Sequence, residues 1–148
     1  MKGIVFSICI SSQKGTKKKE VPSTEVLTNW GIKGDAHAGK WHRQVSLLSV
    51  ESINKMKEKG LETHPGDFAE NITTQGINFS RVSMGDKIFI DDNVILEITQ
   101  IGKECHTSCE IQKITGQCIM PKEGIFTKVI KGGIIKRGSQ VEIKCQEK

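Results

Sequence analysis

Cys105, His106, Cys109 and Cys118 fall within fourteen positions of a chain that holds only five cysteines and four histidines. Lys103 and His106 flank Cys105, and a neighbouring cation lowers a thiol's pKa and favours the thiolate. The thiolate is the form that ligates a soft metal or carries sulfur. The same residues supply the ligand types of structural zinc, but C-H-x-x-C followed by one more cysteine lacks the paired short spacings of a zinc knuckle. Nor is Cys-His-x-x-Cys the haem-attachment order, which needs C-x-x-C-H. Cys118, ahead of Ile119 and Met120, is also read as a buried inert thiol, as are Cys9 and Cys145 in their strand patterns.

Two further constellations could meet this segment. Residues 31–44 gather three glycines, two histidines, two lysines, Asp35 and Arg43 immediately before a strand. Glycines let a backbone approach a ligand, and a guanidinium can grip phosphate bidentately. This nominates Lys33, Gly34, Asp35, His37, Gly39, Lys40, His42 and Arg43 as binding residues; the competing reading is a polar hairpin tip. The second constellation, Pro65-Gly66-Asp67-Phe68-Ala69-Glu70-Asn71-Ile72, inserts polar groups between apolar ones. Asp67 and Asn71 are candidate binding residues there, one able only to accept and the other also to donate. The alternative is a β-turn before an edge strand, with Asp67 bonding its own backbone. No phosphate-loop or dinucleotide glycine pattern occurs.

These residues must be positioned by short elements. Apolar segments recur between Gly-, Asp- and Asn-rich turns, which predicts a mainly β, barrel-like fold. The candidate strands are residues 3–11, 45–48, 87–90, 94–98 and 140–145, and Asp91-Asp92-Asn93 forms a hairpin loop between two of them. One helix is predicted after an N-cap at Ser49. Glu51 sits at its positive end, Lys55, Lys57 and Lys59 at the other, Val50, Ile53 and Met56 share a face, and Gly60 stops it. A second short helix is placed near 109–113 or near 124–130, since periodicity does not separate the two.

The 148 residues suit a single domain spanning 1–148, long enough to bury roughly two-thirds of its unfolded surface. No apolar run approaches the roughly 20 residues that cross a bilayer, so no membrane is expected. The first ten residues read as a strand rather than a signal peptide, and an odd cysteine count without an export signal argues for the cytoplasm. A net charge of +5 suits an anionic partner. Much of it lies in Lys14, Lys17, Lys18 and Lys19, read as a solvated loop. With no interleaved aromatics to stack bases, nucleic acid is not expected.

Together the Gly-Asp-Ala-His-Ala-Gly run, the Pro-Gly-Asp-Phe-Ala-Glu-Asn-Ile run and Gly102-Lys103-Glu104-Cys105-His106 resemble the MOSC family, the domain homologous to the carboxy-terminal part of molybdenum-cofactor sulfurase. The matching stretches, Gly31 to Leu48, Pro65 to Ile77, Gly85-Asp86, Gly102 to Cys109 and Gly116 to Gly133, cover nearly the whole chain, and they match most closely the small stand-alone bacterial members. The resemblance implies a β-rich barrel that binds the pterin molybdenum cofactor, molybdopterin. Cys105 would then be metal ligand or sulfur carrier, with Cys109 as resolving thiol and His106 beside them. Glu104 stands where the family often has Pro, and the functional thiolate is open between Cys105 and Cys109. Implied partners are molybdoenzymes or cofactor-biosynthesis proteins. Related domains reduce N-hydroxylated compounds with partner redox proteins, so that activity stands as an alternative, and a zinc-stabilised binding module as another.

Overall fold

The computed structural model describes residues 1–14, 16–60, 62–102 and 123–144. Among the described residues its strands are β1 (Lys2–Ile10), β2 (Lys19–Val21), β3 (Ser23–Leu27), β4 (Gly31–Ile32), β5 (Val45–Ser49), β6 (Ile72–Gln75), β7 (Lys87–Ile90), β8 (Val94–Ile101), β9 (Ile125–Lys131), β10 (Gly133–Lys136) and β11 (Gln140–Lys144), and helix α1 covers Val50–Glu58. Seven strands close a barrel in the order β1-β11-β7-β8-β9-β5-β6 and back to β1, while β2 extends from the outer edge of β1. Closure pairs Lys2 with Glu142 and Ile4 with Gln140. The mainly β expectation is thus met. Among the described residues no helix is long and apolar enough to cross a membrane.

Alternation explains the interior. Ile88 and Ile90 of β7, Val94, Leu96 and Ile98 of β8, and Val141 and Ile143 of β11 all point inward, where they meet Val5, Ile8, Val45, Leu47, Ile72, Ile125 and Val129. Burying each such side chain stabilises by about 1.5–3 kcal/mol. Asp91, in the loop joining β7 to β8, takes the left-handed conformation (φ 50°) that lets a short connection reverse the chain.

Helix α1 forms where its caps place it. The Ser49 hydroxyl accepts the Ser52 N–H at 3.1 Å, and Gly60 (φ 89°) follows the C-terminus. Ile53 and Met56 lie over the outside of the barrel, where Leu48, Phe68 and Phe126 complete a second apolar cluster. The helix also spans the crossover between β5 and β6, a parallel pair in which Leu48 faces Thr73.

Two expectations need correction. Residues 125–131 are a strand, not a helix: β9 pairs with both β5 and β8, and its Ile, Phe, Val and Ile side chains suit a pleated surface. Strand β6 is no edge; it runs between β5 and β1. A small separate sheet, ordered β10-β3-β4, was not foreshadowed by any strong alternation. The alternative helix at 109–113 lies outside the described residues.

Candidate functional site

The turn from Gly34 to Gly39 leaves β4 and is held from behind by buried polar groups. Asp35 Oδ1 accepts the Ser11 N–H at 3.1 Å and the Lys18 ammonium at 2.8 Å, and Oδ2 accepts the His37 N–H at 3.0 Å. Both side chains of the Lys18–Asp35 pair are 0% exposed. Lys18 therefore does not belong to a solvated loop. Of the four lysines in that run it alone is buried, because only its ammonium meets a carboxylate inside the fold. Burial by itself would raise the Asp35 carboxyl, but the neighbouring His37 and Lys18 override it and hold Asp35 well below the usual carboxylate range. Burial lowers the Lys18 ammonium, and Asp35 opposes that shift.

Gln44 braces the other end of the turn. Its amide donates to the Gly39 carbonyl at 2.8 Å and its oxygen accepts the Val129 N–H at 2.9 Å, tying the turn to β9. Between these supports the chain presents a cationic, aromatic surface. The rings of His37 and Trp41 lie parallel with centroids 6.4 Å apart, and the Trp41 indole donates to the His37 carbonyl at 2.7 Å. The Arg43 guanidinium sits 4.6 Å from the Trp41 ring and 5.6 Å from Phe126, and the Lys14 ammonium lies 4.4 Å from the same indole. Arg43 Nε is buried without a hydrogen-bond partner, and the described residues offer Arg43 no carboxylate. A guanidinium close to two rings and without a carboxylate among the described residues is suited to an anion.

This corner adjoins the point where the cysteine segment departs from and rejoins the barrel. The Gly102 N–H donates to the Gly124 carbonyl at 2.7 Å. Gln100 bridges the two regions: its oxygen meets His42 Nε2 at 2.8 Å and its amide donates to the Gly102 carbonyl at 2.7 Å. Cys105, His106, Cys109, Lys103 and Cys118 themselves lie outside the described residues.

The Pro65–Asn71 turn is more enclosed. Asn71 is fully buried; its oxygen accepts the Ser46 N–H at 3.0 Å and its amide donates to the Cys9 carbonyl at 3.2 Å, so it ties β1 to β5. Ser46 pairs with Phe126 across β5 and β9, which puts this anchor one strand from the Arg43 corner. Asp67 accepts the His64 N–H at 2.8 Å, the local turn bond anticipated as its alternative role. Glu70 is fully buried, with Oε2 accepting from Thr73 Oγ1 at 3.0 Å and Oε1 lacking a partner. Burial raises its carboxyl to about 7. Beneath lies Cys9, a free buried thiol that burial pushes up to about 12, consistent with an inert role.

The nominated residues thus divide. Asp35, His37, Gly39, His42 and Arg43 gather on one turn system beside the root of the cysteine segment. Lys33, Lys40 and Gly34 lie exposed at its margin, and a Cβ on Gly34 would meet no atom within 4 Å. Asp67 and Asn71 are committed to backbone groups. The sequence reading missed Lys18, Gln44, Trp41 and Gln100. Trp41 could have been found from its place between His37 and Arg43; the other three act on partners far away in sequence. Among the described residues no three His, Cys, Asp or Glu side chains are grouped to hold a metal.

The comparisons agree on the fold. The chain is similar to the YuaD protein of Bacillus subtilis, with a TM-score of 0.83 at 19% identity over 99% of this chain and 98% of that one. It is also similar to YiiM from Geobacillus stearothermophilus (TM-score 0.71, 18% identity, 96% of this chain and 75% of that one). For YiiM from Escherichia coli the TM-score is 0.66 at 19% identity, over 99% and 71% of the respective chains. No curated protein matches the sequence. A sequence model of the MOSC domain matches residues 34–142, which take in the Gly34–Arg43 turn, the Pro65–Asn71 turn, strands β5 to β10 and the start of β11, and the chain belongs to the MOSC domain family.

Proposed function

We propose that this protein binds the pterin molybdenum cofactor and carries cofactor or sulfur for molybdoenzymes through a thiolate, Cys105. The observation that carries the reading is the Arg43 guanidinium, without a carboxylate among the described residues and close to the Trp41 and Phe126 rings, next to the root of the cysteine segment. Arg43 would hold the cofactor's phosphate, with Lys14 adding positive charge at the same indole and the His37 ring parallel to it. Asp35 and Gln44 would keep that surface in place without touching the ligand. The bound group would supply a soft metal centre, for which cysteine thiolate is a preferred ligand type.

Metal and pterin analysis of protein prepared without oxygen tests the reading. The expected result is stoichiometric molybdenum and pterin in the wild type. In Arg43→Ala retention should fall about tenfold or more, the loss of a charge-assisted bidentate contact. In Cys105→Ala pterin should stay while molybdenum or transferable sulfur is lost. Wild-type protein that takes up no pterin from a cofactor donor would overturn the proposal, and unchanged molybdenum and sulfur in Cys105→Ala would remove that residue's role.

A further inference from the structure

We infer that Gln100 is a positioning residue: aimed by a β-bulge at Thr99, it fixes the root of the cysteine segment against His42, beside the Arg43 corner. Side chains of a regular strand alternate between its two faces, so neighbours such as Thr99 and Gln100 should point apart. Here they converge. Ile98 pairs with Thr127 and Gln100 with Phe126, which leaves Thr99 as an extra residue in the ladder between β8 and β9. Such a bulge bends the strand and re-aims its side chains. Both now reach residue 42: the Thr99 hydroxyl donates to the His42 carbonyl, and Gln100 meets the His42 ring at 2.8 Å. Phe126, across from the bulge, is one of the two rings beside Arg43.

The bridge has one consistent arrangement of hydrogens. The Gly102 carbonyl can only accept, so the Gln100 amide nitrogen must face it, and that donor lies at 2.7 Å. The Gln100 oxygen is left for His42, and an amide oxygen can only accept, so His42 carries its hydrogen on Nε2. Gly102 is also tied through its own N–H, which donates to the Gly124 carbonyl at 2.7 Å. Its left-handed backbone (φ 68°) suits glycine and turns the chain sharply out of β8. On the other side of the bridge, His42 adjoins Arg43 in sequence, and its ring meets Trp41 edge-on with centroids 5.9 Å apart. One side chain thus sets the separation between the cationic surface and Gly102, three residues ahead of Cys105. The consequence for cofactor chemistry rests on the function proposed above; the bridge itself does not.

Full-length protein free of cofactor tests the bridge. Nitrogen NMR of the histidine rings in mildly alkaline buffer should show His42 held as the Nε2–H tautomer, and Gln100→Leu should return it to a mixture of the two forms. Amide exchange at Gly102 should quicken about tenfold in Gln100→Leu, while amides of β7 and β11 hold their protection. A wild-type His42 in the Nδ1–H form, or unchanged Gly102 exchange in the variant, would overturn the inference. Loaded protein tests the consequence. Gln100→Leu should keep its pterin, but molybdenum or transferable sulfur per bound pterin should fall about tenfold through misplacement of the reacting groups. A variant that loses pterin and molybdenum together, at the wild-type ratio, has lost only structural support, and that outcome also overturns the positioning role. Wild-type protein that binds no pterin defeats the cofactor reading alone, and the ring and amide measurements then decide the bridge.

Discussion

The dipeptide Gly-Asp opens both turns of the site region, at Gly34-Asp35 and at Gly66-Asp67, yet the two copies do opposite things. Asp35 is driven fully inside to meet a lysine from another segment, and its turn presents cations and an indole outward. Asp67 stays partly exposed and caps its own turn, while the inward-facing roles pass to Phe68, Glu70 and Asn71. Gly34 has open space around it; a Cβ on Gly66 would come within 2.2 Å of the Lys18 carbonyl oxygen. The first turn is braced from behind to leave its face free, and the second is sealed backbone against backbone. What decides between these outcomes is the partner waiting behind the turn.

Substitutions at matched positions can break this contrast. Asp35→Ala leaves Lys18 buried and unpaired and should cost about 3–5 kcal/mol in chemical denaturation, whereas Asp67→Ala should cost about 1 kcal/mol. Equal losses would mean that Asp35 is not the main support of its turn. Gly66→Ala combines left-handed backbone (φ 91°) with a backbone clash and should cost about 3 kcal/mol. Gly34→Ala carries only the conformational penalty, roughly 1 kcal/mol, and should lower the melting temperature correspondingly less.

Acid and base should separate the two turns with smaller effects. Asp35 is depressed in the folded state, so its stabilisation is present above its unfolded value near 3.8 and is lost as pH falls below it. Glu70 is raised, so its contribution is complete below about 4.5 and is lost as pH rises toward 7, on the order of 3 kcal/mol in total. Unfolding free energies measured across pH should therefore decline on both sides of a maximum near pH 4–5. The alkaline decline should be missing in Glu70→Gln, and a wild-type stability that rises from pH 5 to pH 7 would contradict the assignment.

The barrel was legible because its rule is local. Alternation in 87–90, 94–98 and 140–145 is the physical signature of strands with one face in a core. Helix α1 announced itself through Ser49, Glu51, its basic last turn and Gly60. Strand β9 was harder, because Ile125, Phe126 and Thr127 are all buried and a continuous apolar run carries no period to read. The site region was half legible. Residue types pointed to the Gly34–Arg43 stretch, where the structure gathers His37 and Arg43, but the Lys18–Asp35 pair spans seventeen positions and Gln44 reaches Val129 across eighty-five. Such bonds leave no periodic trace. A lysine in a basic run looks the same whether it is hydrated or buried.

Phe126 belongs to two assemblies at once: it underlies the Arg43 guanidinium, and it fills the outer cluster with Leu48, Ile53, Met56 and Phe68. Adaptation of the Arg43 corner is therefore coupled to the seating of helix α1, while the barrel interior, which among the described residues shares no side chain with that corner, is insulated from it. A lineage retuning its ligand by reshaping this ring would first sacrifice the helix, and compensating changes would be expected at Ile53 or Met56 before any appeared inside the barrel.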